Sequence, residues 1–84
     1  MRPVRWKELV KIAEEEGWGY ERQEGSHYIM TKAGSARPLV IPTRNNLSEV
    51  IVFNNAETMG LSNKEMRERL SKGKKKRSRK KKKS

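Results

Sequence analysis

One histidine stands among the 84 residues, and it closes the run Glu24-Gly25-Ser26-His27. An imidazole is the side chain best suited to moving a proton near neutral pH. Two common catalytic arrangements are poorly served around it. A metal centre would have one His, no Cys and no Asp to draw on, a thin set for ions that want three or more such ligands. A Ser–His hydrolase pair built from Ser26 and His27 fails on geometry, because neighbours on a strand point to opposite faces. It also lacks an Asp to orient the ring. His27 is therefore either a base acting without a second histidine or an imidazole with no chemical task. No metal or other cofactor is expected.

The elements that must position His27 can be read from periodicity. Trp6, Leu9, Val10 and Ala13 fall at i, i+3, i+4 and i+7, with Ile12 beside them, which is the stripe of an amphipathic helix. Pro3 fits the first turn of that helix, and Gly17 fits its left-handed terminator. The three glutamates ending it, Glu14 to Glu16, are read as a solvated face. From Trp18 the period shortens toward two, so Trp18 and Tyr20 are expected to share a face and, with Trp6, to pack in the core. Glu24-Gly25 signals a turn. Ser26 to Lys32 forms a second strand, with His27, Ile29 and Thr31 on one face and Tyr28, Met30 and Lys32 on the other. Both faces carry apolar residues, so the pattern does not say which one the helices cover.

Leu39-Val40-Ile41 is a short third strand between Pro38 and Pro42, and the prolines make it an edge. A second helix opens near Ser48, with Ser48, Asn45 or Asn46 as N-cap. Its stripe is read as Leu47, Val50, Ile51, Phe53 or Asn54, and Met59, and Gly60 ends it. Ser62 and Glu65 have capping-box spacing for a last helix carrying Met66 and Leu70. The order is helix, three strands, helix, helix: an α+β layer with the helices on one face of a small antiparallel sheet.

Charge divides the chain in two. The formal net charge is +11, from 21 Lys+Arg and 10 Asp+Glu. Residues 72–84, KGKKKRSRKKKKS, hold ten of the cations and no acid; the remainder is 21 − 10 = 11 basic against 10 acidic residues, a net of +1. We therefore read a folded domain over residues 1–71 and a disordered basic tail over 72–84. Such a tail attracts RNA or DNA strongly, without sequence preference and in a salt-sensitive way. It also looks like a nuclear-localisation run, and a role in solubility is the third alternative; a nucleic-acid tether is favoured. No apolar run approaches the ~20 residues of a membrane span, and the N-terminus has no apolar core of a secretory signal, so a cytoplasmic protein with no membrane partner is expected.

Taken in chain order, these cues resemble the HicA-like (YcfA-like) mRNA interferase toxins. Gly17-Trp18 follows a short N-terminal helix. Arg22 precedes the Gly25-Ser26-His27 turn, Ile41-Pro42 ends the third strand, and Met59-Gly60-Leu61-Ser62 closes the second helix. The resemblance covers roughly residues 5–70. It implies a double-stranded-RNA-binding-domain-like α-β-β-β-α fold, here with a short extra C-terminal helix. It also implies endoribonuclease activity on mRNA, a cognate HicB-type antitoxin protein as partner, and His27 as the catalytic residue. The family often has a second histidine after strand three and basic residues entering the next helix. Here the chain reads Thr43-Arg44 with no histidine, and SEVIVFNNAETM holds no Lys or Arg.

Metal-independent RNA cleavage uses the ribose 2′-OH against the adjacent phosphate. It needs a base, an acid for the leaving oxygen, and cations for the developing charge. His27 is the base. Arg22, Lys32 and Arg44 are the candidate phosphate contacts, since a guanidinium fork matches phosphate geometry. Tyr28 is a candidate for stacking on a base, and Ser26 for orienting the imidazole or touching phosphate. The alternative is a non-catalytic RNA-binding module on the same fold, with the tail as electrostatic tether.

Overall fold

The computed structural model describes residues 3–75, with side chains through residue 71. Six elements follow in order: α1 (Trp6–Glu15), β1 (Gly19–Glu24), β2 (His27–Thr31), β3 (Leu39–Pro42), α2 (Glu49–Met59) and α3 (Asn63–Lys75). The sheet is antiparallel throughout in the order β1-β2-β3. This is the expected α+β, double-stranded-RNA-binding-domain-like fold with its added C-terminal helix. α3 reaches Lys75, so the first residues of the basic run continue a helix. The disorder expected of the remaining tail, 76–84, lies outside the described residues.

α1 starts later than Pro3 suggests. Arg5 is its N-cap, in extended conformation, and an arginine side chain has nothing to accept a helix N–H with. Glu8 supplies the local capping bond instead, its carboxylate accepting from the Arg5 N–H at 3.0 Å. Pro3 stays outside, ahead of Val4, which bridges to Leu47. The other end behaves as the glycine implies. Gly17 lies at φ 94; its N–H donates to the Glu14 carbonyl at 3.0 Å and that of Trp18 to Ala13 at 2.9 Å. Those two bonds close a Schellman turn. α2 ends in the same way, with Gly60 at φ 83 and the Leu61 N–H bonded back to the Ala56 carbonyl. Ser48 is the N-cap of α2, its Oγ accepting from the Ile51 N–H at 3.4 Å. The Ser62–Glu65 capping box of α3 is complete, with reciprocal bonds of 3.1 and 2.8 Å.

The core lies on one face of the sheet. Met30, Leu39 and Ile41 point into it beside Leu9, Ile12 and Ala13 of α1, Val52, Ala56 and Met59 of α2, and Met66 and Leu70 of α3. The helices therefore cover the Tyr28–Met30 face of β2. Three sequence expectations need correcting. The buried stripe of α2 is Val52, Asn55, Ala56 and Met59, and Val50 is 68% exposed. Trp18 is buried but belongs to the Schellman turn rather than to β1, so it does not set the strand's alternation. Tyr20, the next aromatic, is 57% exposed because β1 is the edge strand farther from the helices. The Trp18 indole N–H is enclosed with no acceptor among the described residues, a desolvation cost that burial of the ring must outweigh.

The glutamates ending α1 are not simply solvated. Arg69 of α3 donates to Glu15 at 2.9 Å and to Glu16 at 2.7 Å, and these hydrogen bonds raise its pKa above the ordinary arginine value. The two bonds reduce like-charge repulsion at the helix end where carboxylates are least favoured. It also fastens α3 to α1.

Met30→Ala should cost about 2–5 kcal/mol of unfolding free energy, the usual range for truncating a fully enclosed methionine. Gly17→Ala should cost about 1 kcal/mol, since an L-residue is forced into the left-handed region. Val50→Thr should stay within about 0.5 kcal/mol. Urea-induced unfolding of the three variants measures all three values.

Candidate active site

His27 is the first residue of β2, and a two-residue loop brings it there. Glu24 and His27 are register partners across Gly25-Ser26. Such tight hairpins need a positive φ at the first loop position, and Gly25 supplies it at φ 57. The loop is then tied to the far strand. The Ser26 carbonyl accepts from the Thr43 N–H at 2.9 Å and from Thr43 Oγ1 at 3.2 Å. On its other side His27 pairs with Pro42. The imidazole is exposed on the sheet face away from the helices. It carries no side-chain hydrogen bond or ion pair among the described residues, so its nitrogens are open to a ligand.

That open face also carries Arg22, Glu24, Ile29, Val40 and Pro42, by strand alternation and register. Ile29 is buried yet stands apart from the core cluster, flanked in register by Arg22 and Val40. A bulge at Glu21 interrupts β1 between Tyr20 and Arg22. It brings Glu21 and Glu24 to the same guanidinium, each 2.6 Å away. The hydrogen bond to Glu24, then its charge, raises the Arg22 pKa above the usual arginine value.

Arg44 follows β3 closely. Its N–H donates to the Pro42 carbonyl at 2.8 Å, and its own carbonyl accepts from the Trp6 N–H at 2.9 Å. The latter bond brings the first turn of α1 to the histidine end of the sheet. The Leu47 N–H, bonded to the Val4 carbonyl at 2.9 Å, brings the start of α2 there as well. Four segments thus converge on one end: the β1–β2 loop, the exit of β3, and the N-termini of α1 and α2.

The sequence-derived candidates divide accordingly. His27, Ser26 and the backbone of Arg44 are gathered at this end. Arg22 shares the face of His27 but is already committed to two carboxylates. Tyr28 points to the opposite, helix-bearing face. There its ring meets Trp6 at 5.3 Å and Tyr20 at 5.0 Å between centroids. Lys32 lies beyond the other end of β2, across Gly17, where a methyl group would meet its Cε at 3.4 Å. Two cations that sequence reasoning passed over, Arg5 and Lys7, sit in the α1 turn joined to Arg44. No local pattern marks them, because the link is a hydrogen bond between residues far apart in sequence. Among the described residues no group of three or more His, Cys, Asp or Glu side chains converges, and no helix is long and apolar enough to cross a membrane.

Burial pushes the Tyr28 phenol above the usual tyrosine range, and the charge of Glu14 adds to the shift, as does Tyr20. A group whose folded pKa is raised contributes stability at neutral pH that is lost as pH rises through the folded value. Alkaline titration followed by phenolate absorbance should therefore show a late-ionising component. Tyr28→Phe should abolish it, and should also shift alkaline unfolding to higher pH.

A family model described as the HicA toxin of bacterial toxin–antitoxin systems matches residues 6–53, from the first residue of α1 to the middle of α2. No curated protein and no solved structure proved similar to the chain. The matched segment is more than half of the 84 residues and contains every element that positions His27. The chain belongs to the HicA toxin family.

Proposed function

We propose that this toxin is a metal-independent mRNA endonuclease in which His27 is the sole catalytic histidine, and that a HicB-type antitoxin protein is its partner. The observation that carries the reading is the state of the imidazole. It is exposed, carries no side-chain partner, and stands at a turn fixed by two bonds from Thr43 to the Ser26 carbonyl. A histidine kept for packing would be enclosed, and one kept for structure would be hydrogen-bonded.

In the reaction, His27 takes the proton of a ribose 2′-OH. The 2′ oxygen forms a bond to the adjacent phosphorus and the bond from phosphorus to the 5′ oxygen breaks. The leaving oxygen takes its proton from water or from the imidazolium just formed. Arg44 is the nearest candidate for the charge on the phosphoryl oxygens, two residues beyond the register partner of His27. Arg22, Ser26, Tyr28 and Lys32 have weaker claims. Arg22 is held by acids, Tyr28 faces the core, Lys32 is at the other end of the strand, and the Ser26 carbonyl is already taken. The folded unit on this reading is residues 1–71 with the basic run of 72–84 appended, and the setting is cytoplasmic.

His27→Ala should lower RNA cleavage by about 10²- to 10⁴-fold, the usual worth of a positioned proton-transfer group, while RNA binding is retained. Cleavage by the wild-type chain should persist in a chelator. In cells, expression of the wild type should arrest growth and co-expression of the neighbouring antitoxin frame should relieve it. Binding with no cleavage by the wild type would instead mark an RNA-binding module.

A further inference from the structure

The cations of the described residues are unequally occupied. Arg22 is held by Glu21 and Glu24, and Arg69 by Glu15 and Glu16. Arg37 donates to Thr58 at 3.1 Å and Arg67 lies 5.0 Å over the Phe53 ring. In contrast, the side chains of Arg5 and Arg44 make no ion pair or hydrogen bond among the described residues. Lys7 only rests over the Trp6 ring, 5.7 Å from its centroid, and its ammonium keeps its capacity to donate. All three are exposed. The Trp6 N–H to Arg44 carbonyl bond joins the segments that carry them. Trp6 in turn packs on Tyr28, the residue after His27.

We propose that Arg5, Lys7 and Arg44 form a phosphate-binding rim around the histidine end of the sheet. The rim takes the phosphodiester backbone of the RNA on either side of the scissile bond. This rests on the reading of RNA as substrate and changes where the strand runs. It crosses the end of the molecule, from the β3 exit onto the first turn of α1, and does not follow the open sheet face toward Arg22. The N-termini of α1 and α2 open toward the same end, and the positive ends of their helix dipoles favour an anion there. The carboxylates near this end are Glu8, Glu24 and Glu49. Glu24 is paired with Arg22, and Glu8 is engaged by the Arg5 N–H.

The test uses full-length chains carrying His27→Ala so that RNA stays intact. Binding of a fluorescent single-stranded RNA is measured across a salt series. Each lost phosphate contact lowers the slope of log affinity against log salt by about 0.7 for a single strand. The triple variant Arg5→Gln, Lys7→Gln, Arg44→Gln should therefore lose about 2 from the slope. Lys64→Gln, in the first turn of α3, should change it by less than one such contact. The basic run is identical in every chain and cancels in the comparison. Circular dichroism of the triple variant must match the parent; if it does not, the single Lys7→Gln variant, whose side chain makes no hydrogen bond or ion pair among the described residues, carries the test with a loss of about 0.7. An unchanged slope in the rim variant, with a reduced slope in Arg22→Gln or Lys32→Gln, overturns the rim and leaves the RNA reading standing. No RNA binding by the parent chain overturns both.

Discussion

The bond from the Trp6 N–H to the Arg44 carbonyl, 2.9 Å long, joins the two halves of the chain on which the rest of the structure depends. A helix begins with backbone N–H groups that have no partner inside it, and each must be satisfied from elsewhere. In α1 the N–H of the first residue, Trp6, finds its acceptor in the carbonyl of Arg44 at the exit of β3. That single requirement fixes where α1 crosses the sheet. It aligns Leu9, Ile12 and Ala13 over Leu39 and Ile41, and it brings the helix start beside the hairpin that carries His27. The Val4–Leu47 bridge and the Thr43–Ser26 bonds repeat the device on either side. In a chain this small the core alone leaves little margin, and satisfied polar groups at one end also serve to set the register.

The two faces of β2 then take different tasks because they meet different surroundings. Tyr28 and Met30 face the helices. Met30 is enclosed, and Tyr28 is braced between Trp6 and Tyr20, at ring distances where tilted aromatic pairs attract. The opposite face bears His27 and Ile29, and no helix among the described residues covers it. Ile29 is nevertheless buried on that side, which gives the open face an apolar floor behind the imidazole. A backbone anchored through Ser26 and a ring left exposed is the combination a proton-transfer group needs: a fixed origin and open nitrogens.

Much of this was legible in the chain. The caps were local chemistry, and Gly17, Gly60, Ser48 and the Ser62–Glu65 box all act where the sequence says they should. The edge position of β3 followed from its prolines. The misreadings share a cause, which is that a stripe does not know its neighbour. Val50 and Tyr20 had the right spacing but stay exposed outside the core, Tyr20 meeting only the ring of Tyr28 at the sheet edge among the described residues. Glu15 and Glu16 looked solvated until α3 returned Arg69 to them. For the candidate site, the residue types around His27 were visible and the family cues gave them order. The convergence of Arg5 and Lys7 with Arg44 was not, because it is made by a long-range main-chain bond that leaves no mark on composition or period.

Charge pairing completes the logic of the histidine end. The chain outside the terminal basic run is nearly neutral, at +1 by residue count, so its attraction for an anion depends on which charges are cancelled. Glu24 stands directly across from His27, and a bare carboxylate there would repel a phosphodiester. Arg22 lies 2.6 Å from it, and the bulge at Glu21 brings a second acid equally close to the same guanidinium, so the cation offsets one of the two carboxylates. The arginine ahead of Gly-Ser-His thus lowers the negative charge beside the imidazole. The ten cations after residue 71 act on another scale. On the reading of RNA as substrate, they would supply sequence-blind attraction that salt screens over about 8 Å at physiological ionic strength, whereas cations fixed to the sheet end would set the register of the strand. On that reading attraction and positioning fall to different parts of one short chain.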